Sequence, residues 1–333
     1  MTKRILVESV LVPHTAFEEA SRRAAQYIDY VKEGGCEPAC LAIVGESRTG
    51  KSRCSESILA RYPRRRTDEG LSVPVLAITV PSKPTVKSLA ESFLKKLGVP
   101  DWYRGTETQK SARLITFLEE CGVLALVVDE FHHFYDKTSH KVQHNVADWL
   151  KNIVSESGVV LIACGLSSLL NVIEQNEQLA GRFGAPVFMP RFNWLDKAHR
   201  SEWMGILAGF DEALCNDFKL PQLCNLDMGF RVYCATGGLI GYLTNLLRQA
   251  VWNALDNGTN RIDLKDLDKA YRQAVFVLDK RKLSSDDVTP FHPDWNATPN
   301  AASLELAATI GKPIEAPPKK RAGRLSASGV LAA

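Results

Sequence analysis

Residues 45–52 read GESRTGKS, a match to G-x-x-x-x-G-K-[ST] with Gly45, Gly50, Lys51 and Ser52 at the fixed positions. The spacing has a mechanical reason. The glycines let the chain turn so that successive backbone N–H groups face inward as an anion nest. A helix starting directly after such a loop points its positive end at the same anion. The lysine reaches β- and γ-phosphates, and the Ser52 hydroxyl is placed to ligate Mg²⁺. The flanks supply the context the motif needs: residues 40–44 form a short apolar strand, and 51–61 read as a helix. The nucleotide-binding set is therefore Gly45, Glu46, Ser47, Arg48, Thr49, Gly50, Lys51 and Ser52, with Arg53 following. An accidental glycine–serine turn is the bland alternative, and the strand-loop-helix context weighs against it.

Working outward, residues 123–130 read VLALVVDE. An uninterrupted apolar run is expected of a strand buried on both faces, and this one ends in two acids. Asp129 would sit at the strand's C-terminal end beside the loop, where α/β sheets bind ligands, and would hold Mg²⁺ with Ser52. Glu130 is then the candidate base that orients the attacking water. A helix N-cap or turn is the other reading of Asp129, and adjacency leaves the two acids' roles exchangeable. His132 and His133 follow at once. His140 and His144 have the i, i+4 spacing of a metal pair, but no cysteine or third ligand is spaced to close a zinc site, which favours solvated polar residues.

The wider pattern is α/β. Helical periodicity at 14–33, with Thr15 as N-cap, precedes the loop; strands at 73–80 and 159–164 and helices at 84–97, 107–120 and 142–156 alternate around it. Such alternation implies right-handed βαβ units and a mainly parallel sheet. After about residue 193 the pattern is helical only, at 196–215, 230–255 and 264–280. Residues 283–333 hold 6 of the 16 prolines and 10 alanines, and read as an unpacked, disordered tail. Within it, TPFHPDW (289–295) is a candidate contact for a partner protein, the alternative being that it packs back on the helices before it. The expected organisation is an N-terminal segment and helix (1–39), a nucleotide core (40–192), a helical lid (193–282) and the tail (283–333).

Length and charge set the bounds. At roughly 150 residues per domain, 333 residues suggest about two domains. The net charge of +3 excludes a strongly basic, histone-like protein. Residues 312–333 carry +4, leaving −1 for the rest. No apolar run approaches the roughly 20 residues of a membrane span, and the start lacks a signal-peptide pattern. Eight scattered cysteines then read as reduced, mostly buried thiols of a cytoplasmic protein.

The two nucleotide motifs, the strand VVLIAC (159–164) and the all-helical end together resemble an AAA+ ATPase. The resemblance is closer to one branch, the TniB/TnsC transposition regulators, including those of CRISPR-associated transposons. VPHTAFEEA (12–20), IVGESRTGKSR (43–53), VVDEFHHF (127–134), EQLAGRF (177–183) and ATGGLIGYLTNLLRQAVWNAL (235–255) carry it, over about residues 10–280. The resemblance implies an AAA+ core with a small helical lid, and an ATPase using ATP and Mg²⁺. It implies assembly of copies into a ring or helical filament on double-stranded DNA, largely independent of sequence. It also implies recruitment of transposase subunits at a site chosen by a target-selection protein, in a bacterial cytoplasm and nucleoid-associated when DNA-bound.

Carried over by position, Arg182 in AGRF is the arginine finger, with Arg191 the runner-up. Leu166 stands where the family has a polar sensor, so Ser167 is the sensor candidate. Gly237, Gly238 and Gly241 match the lid's glycine pattern, and Gly241 joins the nucleotide-binding set. No lid arginine matches the one that touches the γ-phosphate, which points to slow, assembly-stimulated hydrolysis. The channel-facing DNA positions match Lys87 and Thr106, with Lys83, Arg104 and Lys110 close in sequence. A lysine and a hydroxyl suit phosphate contacts without base readout, while a solvated helix-surface lysine is the alternative. Two other functions stay open: an NTP-gated signalling switch acting on proteins without DNA, and a P-loop phosphotransferase, against which the helical lid and the Arg182 segment weigh.

Overall fold

The computed structural model describes residues 3–35, 37–68, 70–81, 84–137, 140–275 and 288–311. Five apolar runs form a parallel sheet: β1 (Leu41–Gly45), β4 (Val75–Thr79), β5 (Ala125–Asp129), β6 (Val160–Gly165) and β7 (Val187–Met189), in the order β4-β5-β6-β1-β7. A short antiparallel hairpin, β2 (Arg65–Thr67) with β3 (Gly70–Ser72), stands outside it. Strand side chains alternate between faces, so each central strand feeds two cores. Leu41, Ile43, Val127, Ile162 and Cys164 pack with α2 (Thr15–Lys32) and α3 (Lys51–Arg61). Ala42, Val44, Leu126, Val128 and Leu161 pack on the other face, with α4 (Val86–Leu97), α5 (Glu107–Glu120) and α7 (His140–Ser157). The short helices α6 (His133–Lys137), α8 (Leu169–Ile173) and α9 (Glu177–Ala180) close that second face.

The lid is a third core. It comprises α10 (Lys197–Leu214), α11 (Leu226–Thr236), α12 (Ile240–Asp256) and α13 (Leu264–Ala274), around Trp203, Phe210, Phe230 and Leu246. The helix expected over 230–255 is two helices. Gly237 and Gly238 adopt φ of 63° and 69°, left-handed values that end α11 and redirect the chain into α12. The N-terminal α1 (Leu6–Ser9) also belongs here, because Val7 is buried in the lid core and the Trp252 indole donates to Arg4 O at 2.8 Å.

Two expectations change. His14, not Thr15, is the N-cap of α2, and it caps without its side chain; the Thr15 hydroxyl instead bonds Glu202 of α10. The segment 288–311, expected within an unpacked tail, is folded onto the lid. Phe291 is buried, Trp295 packs on Phe230, and α14 (Ala301–Thr309) lies against α11. Arg231 explains the docking: its guanidinium donates to the carbonyls of Pro290, His292 and Trp295 at 2.8–3.0 Å and stacks over the Trp295 ring. The basic stretch 312–333 lies outside the described residues. Among the described residues no helix is long and apolar enough to cross a membrane.

Candidate functional site

β1 delivers Gly45 to the carboxyl edge of the sheet, beside the ends of β5 and β6. The loop then makes two left-handed residues, Arg48 (φ 71°) and Gly50 (φ 100°), and α3 begins at Lys51. Arg48 is not a glycine, and such backbone costs of order 1–3 kcal/mol unless its surroundings hold it. The lid does so: Gly241 N–H donates to Arg48 O at 2.9 Å, and the Arg48 guanidinium lies 5.3 Å over the Tyr242 ring. Thr49 Oγ1 closes the loop on Glu46 O at 2.9 Å.

Lys51 is buried, and its Nζ donates to the loop's own carbonyls, Gly45 O at 2.8 Å and Glu46 O at 2.7 Å. Burial pushes its pKa down, and the charges of Glu130 and Asp129 oppose that shift. Ser52 Oγ donates to Asp129 Oδ2 at 2.8 Å, while Asp129 Oδ1 accepts Glu130 N–H at 2.8 Å. A hydroxyl and a carboxylate oxygen in direct contact beside a phosphate loop are the hard oxygen donors Mg²⁺ takes, so these residues fit that ion. Glu130 itself is left-handed (φ 57°) and lines the cavity beside the loop.

Two adjoining cavities share Arg48, Gly50, Arg53 and Gly241. One, about 350 Å³, has a lining that is half polar and half apolar and includes Ser47, Lys51, Ser52, Glu130, His132 and Leu166. The other, about 260 Å³, is mostly apolar and lies between the N-terminal segment and the lid, with Val10, Val12, His14, Phe17, Phe210 and Ile240 in its wall. The first suits phosphates and the second a flat base. The base-sized cavity is largely missing from the sequence reading. Its wall comes from four separate segments, within 7–17, 48–53, 206–210 and 240–245, which no local pattern joins. Arg53 braces the junction, donating to Glu8 O at 2.7 Å.

The remaining expected residues divide. Ser167 is exposed and outside both cavities, and Leu166 and His132 line the phosphate cavity instead. Arg182 is at the other end of β1: its carbonyl accepts Cys40 N–H at 2.8 Å, and its guanidinium donates to Ser155 Oγ at 3.0 Å. Five strand residues at about 3.3 Å each put roughly 16 Å between it and its own loop. Arg191 lies beside the phosphate loop of the same chain. It holds Glu46 Oε2 at 2.8 and 3.0 Å, Gly237 O at 3.0 Å and Ile310 O at 2.9 Å.

Lys87 is exposed in the first turn of α4, and Thr106 is the exposed N-cap of α5, its Oγ1 accepting Gln109 N–H at 3.3 Å. Arg104 is exposed beside Asp101. Lys83 lies outside the described residues. Lys110 is a correction: it is 0% exposed, with Nζ on Glu91 Oε1 at 2.6 Å and Tyr103 O at 2.7 Å, so it ties α5 to α4 and cannot face DNA. His144 bonds Gln175 O and pairs with Asp148. Cys36 and the His140 side chain lie outside the described residues. Burial pushes the Cys40 and Cys54 thiols up to about 11 and those of Cys164 and Cys234 up to about 12, as expected of inert core thiols.

The family described as "Bacterial TniB protein" matches residues 4–194. Among curated proteins no match is found. Solved structures share the fold, that of the AAA+ P-loop ATPases. The Aeropyrum pernix ORC2 protein, in ADPNP–ADP complexes, is 15% identical with a TM-score of 0.61, over 83% of this chain and 73% of that one. Aeropyrum pernix ORC1 in complex with DNA is 17% identical with a TM-score of 0.58, over 82% and 69%. Cdc6p from Pyrobaculum aerophilum is 15% identical with a TM-score of 0.55, over 81% and 73%. At these identities the likeness is one of fold.

Proposed function

The chain belongs to the bacterial TniB family, and from that premise we propose that it is an ATP-dependent regulator of transposition that assembles on double-stranded DNA and recruits a transposase. The observation that carries the ATPase half is the contact of Ser52 with Asp129, with Glu130 next in sequence and Lys51 buried in the loop. Support for the DNA half comes from the family and from a neighbour of the same fold, described in complex with DNA.

The residues act as follows. Lys51 gives up its bonds to Gly45 O and Glu46 O and neutralises β- and γ-phosphate oxygens. Ser52 and Asp129 would hold Mg²⁺, which would supply charge neutralisation to the phosphates. Glu130 takes a proton from water as the water oxygen bonds the γ-phosphorus; the bond from that phosphorus to the bridging oxygen breaks, and ADP leaves. Arg182, too far from its own loop, serves the site of a neighbouring copy, so that hydrolysis requires assembly. Lys87, Thr106 and Arg104 contact DNA phosphates, each subunit supplying few contacts that assembly multiplies.

The test is electron microscopy with a slowly hydrolysed ATP analogue, with and without duplex DNA, alongside a salt titration of DNA binding. Ordered assemblies that need both nucleotide and duplex are expected, with affinity falling steeply with salt. Lys51→Ala should remove nucleotide binding and assembly together, and Glu130→Gln should trap assemblies. DNA-independent rings without salt-sensitive DNA binding overturn the proposal in favour of a protein-directed switch.

A further inference from the structure

The turn after β5 carries two histidines directly behind Glu130, and the structure folds one of them under it. His132 is 8% exposed, and its Nε2 lies 3.3 Å from Glu130 Oε2. On the other side of the ring, Nδ1 accepts the Leu166 N–H at 3.4 Å. A ring nitrogen that accepts an N–H carries no proton, so the neutral imidazole has its proton on Nε2 and donates it to the carboxylate. The ring thus bridges the acid at the end of β5 to the first residue after β6. That second place is where a polar sensor was expected. Leu166 lines the phosphate cavity without a polar side-chain atom, and Ser167 is exposed away from it.

His133 Nε2 is 3.7 Å from the same Glu130 oxygen, so three donor atoms converge as metal ligands do. The Leu166 amide argues for the hydrogen-bonded reading. It fixes the proton on the very His132 nitrogen that a cation needs unprotonated.

We propose that His132 is a positioning residue for water activation: it holds the Glu130 carboxylate through Nε2–H and links it to the turn after β6 through Nδ1. This rests on the reading of Glu130 as the base. Glu130 is 40% exposed, and among the described contacts of its side chain only the two histidines hold the carboxylate. Misplacing a reacting group by about 1 Å costs on the order of 100-fold in rate. The imidazole therefore acts on turnover and not on nucleotide affinity.

The experiment compares three variants of the full chain for kcat, KM and binding of a fluorescent ATP analogue, under whatever assembly conditions give wild-type turnover. His132→Ala should lower kcat roughly 100-fold while nucleotide affinity stays within about threefold. His132→Gln places an amide N–H near the Nε2 position and should recover kcat to within about fivefold. His132→Asn offers Leu166 an acceptor but leaves Glu130 unheld, and should stay at the alanine level. Rescue by Asn and not by Gln overturns the proposal, because the ring then matters only to the turn. So does a kcat for His132→Ala within threefold of wild type, or loss of nucleotide binding in all three variants. Glu130→Gln separates the premise. If it turns over at the wild-type rate, Glu130 is not the base. If it is slow, adding His132→Ala should slow it no further, and a further 100-fold loss overturns the link.

Discussion

Arg191 is the residue whose removal should most change how the parts of this molecule communicate. Its side chain is 16% exposed and joins three segments: Glu46 in the phosphate loop, Gly237 O at the lid's glycine turn, and Ile310 O after α14. The two bonds to carbonyls are charge-assisted and part-buried, worth roughly 1.5–3 kcal/mol each. The pair with Glu46, which is half exposed, adds at most about 1 kcal/mol. Water can rehydrate the carbonyls once the side chain is gone, so Arg191→Ala should loosen this junction by about 3 kcal/mol and not by the full sum. At 1.4 kcal/mol per tenfold, that is on the order of 100-fold in the opening of residues 301–311. Hydrogen exchange measured by mass spectrometry reads it directly: amides of α14 should lose about two decades of protection, while β1, β5 and β6 keep theirs. Arg191→Lys should recover only part, because one ammonium cannot reproduce the planar fork. Unchanged protection at 301–311 together with lost cooperativity of ATP hydrolysis would refute the reasoning. Arg191 would then be acting on a neighbouring copy.

Three further outcomes follow from the same geometry. Lys110→Met should cost about 2–3 kcal/mol, less than the 3–5 typical of breaking a buried pair because Glu91 is 24% exposed, and lower the thermal midpoint by roughly 5–10 °C with DNA affinity intact; a held midpoint with weaker DNA binding would restore Lys110 as a DNA contact. Gly241→Ala puts a Cβ 2.9–3.1 Å from Arg48 Cβ and Cα while favouring the helix, so ATP affinity should fall about tenfold with no loss of thermal stability; equal affinity would show that the lid does not set the loop. Burial lowers the pKa of His14, with Glu202 opposing, so its contribution is present above about pH 6.5 and lost as pH falls below that value. His14→Phe should therefore flatten the decline of the melting temperature between pH 7 and 5, and a wild-type-to-variant gap that is constant with pH contradicts this.

The parts legible in the sequence are those whose cause is local. The phosphate loop needs eight consecutive residues, and β5 announces itself by an apolar run ending in acids. The lid helices are periodic, but the Gly237–Gly238 pair reveals itself as a break only through its left-handed backbone. What the sequence hid is partnership across distance. Arg191 and Glu46 are 145 positions apart. Arg231 is buried because it collects three carbonyls from a segment some 60 residues further on. In TPFHPDW the aromatics signalled a need for an apolar partner, but composition cannot tell a partner in the same chain from one in another.

Lys110 and Lys87 show where a finer reading of the sequence was possible. Both are lysines in the first turn or two of neighbouring helices, and both are DNA-contact candidates from the sequence. Yet Lys110 is followed at i+4 and i+8 by Leu114 and Leu118, which are buried. A lysine at the head of an apolar stripe shares its face, and a buried ammonium needs an acid on the facing helix, which Glu91 supplies. Lys87 sits between Val86 and Leu89, both buried, but points off their stripe and is exposed. The face of the helix, set by the period of 3.6, separates a structural lysine from one available to a phosphate. Net charge near zero carries no information on that choice. Lys87 and Thr106 are exposed at two capped helix N-termini, where under the proposed function a DNA phosphate would also meet the backbone N–H groups that the capping boxes leave free.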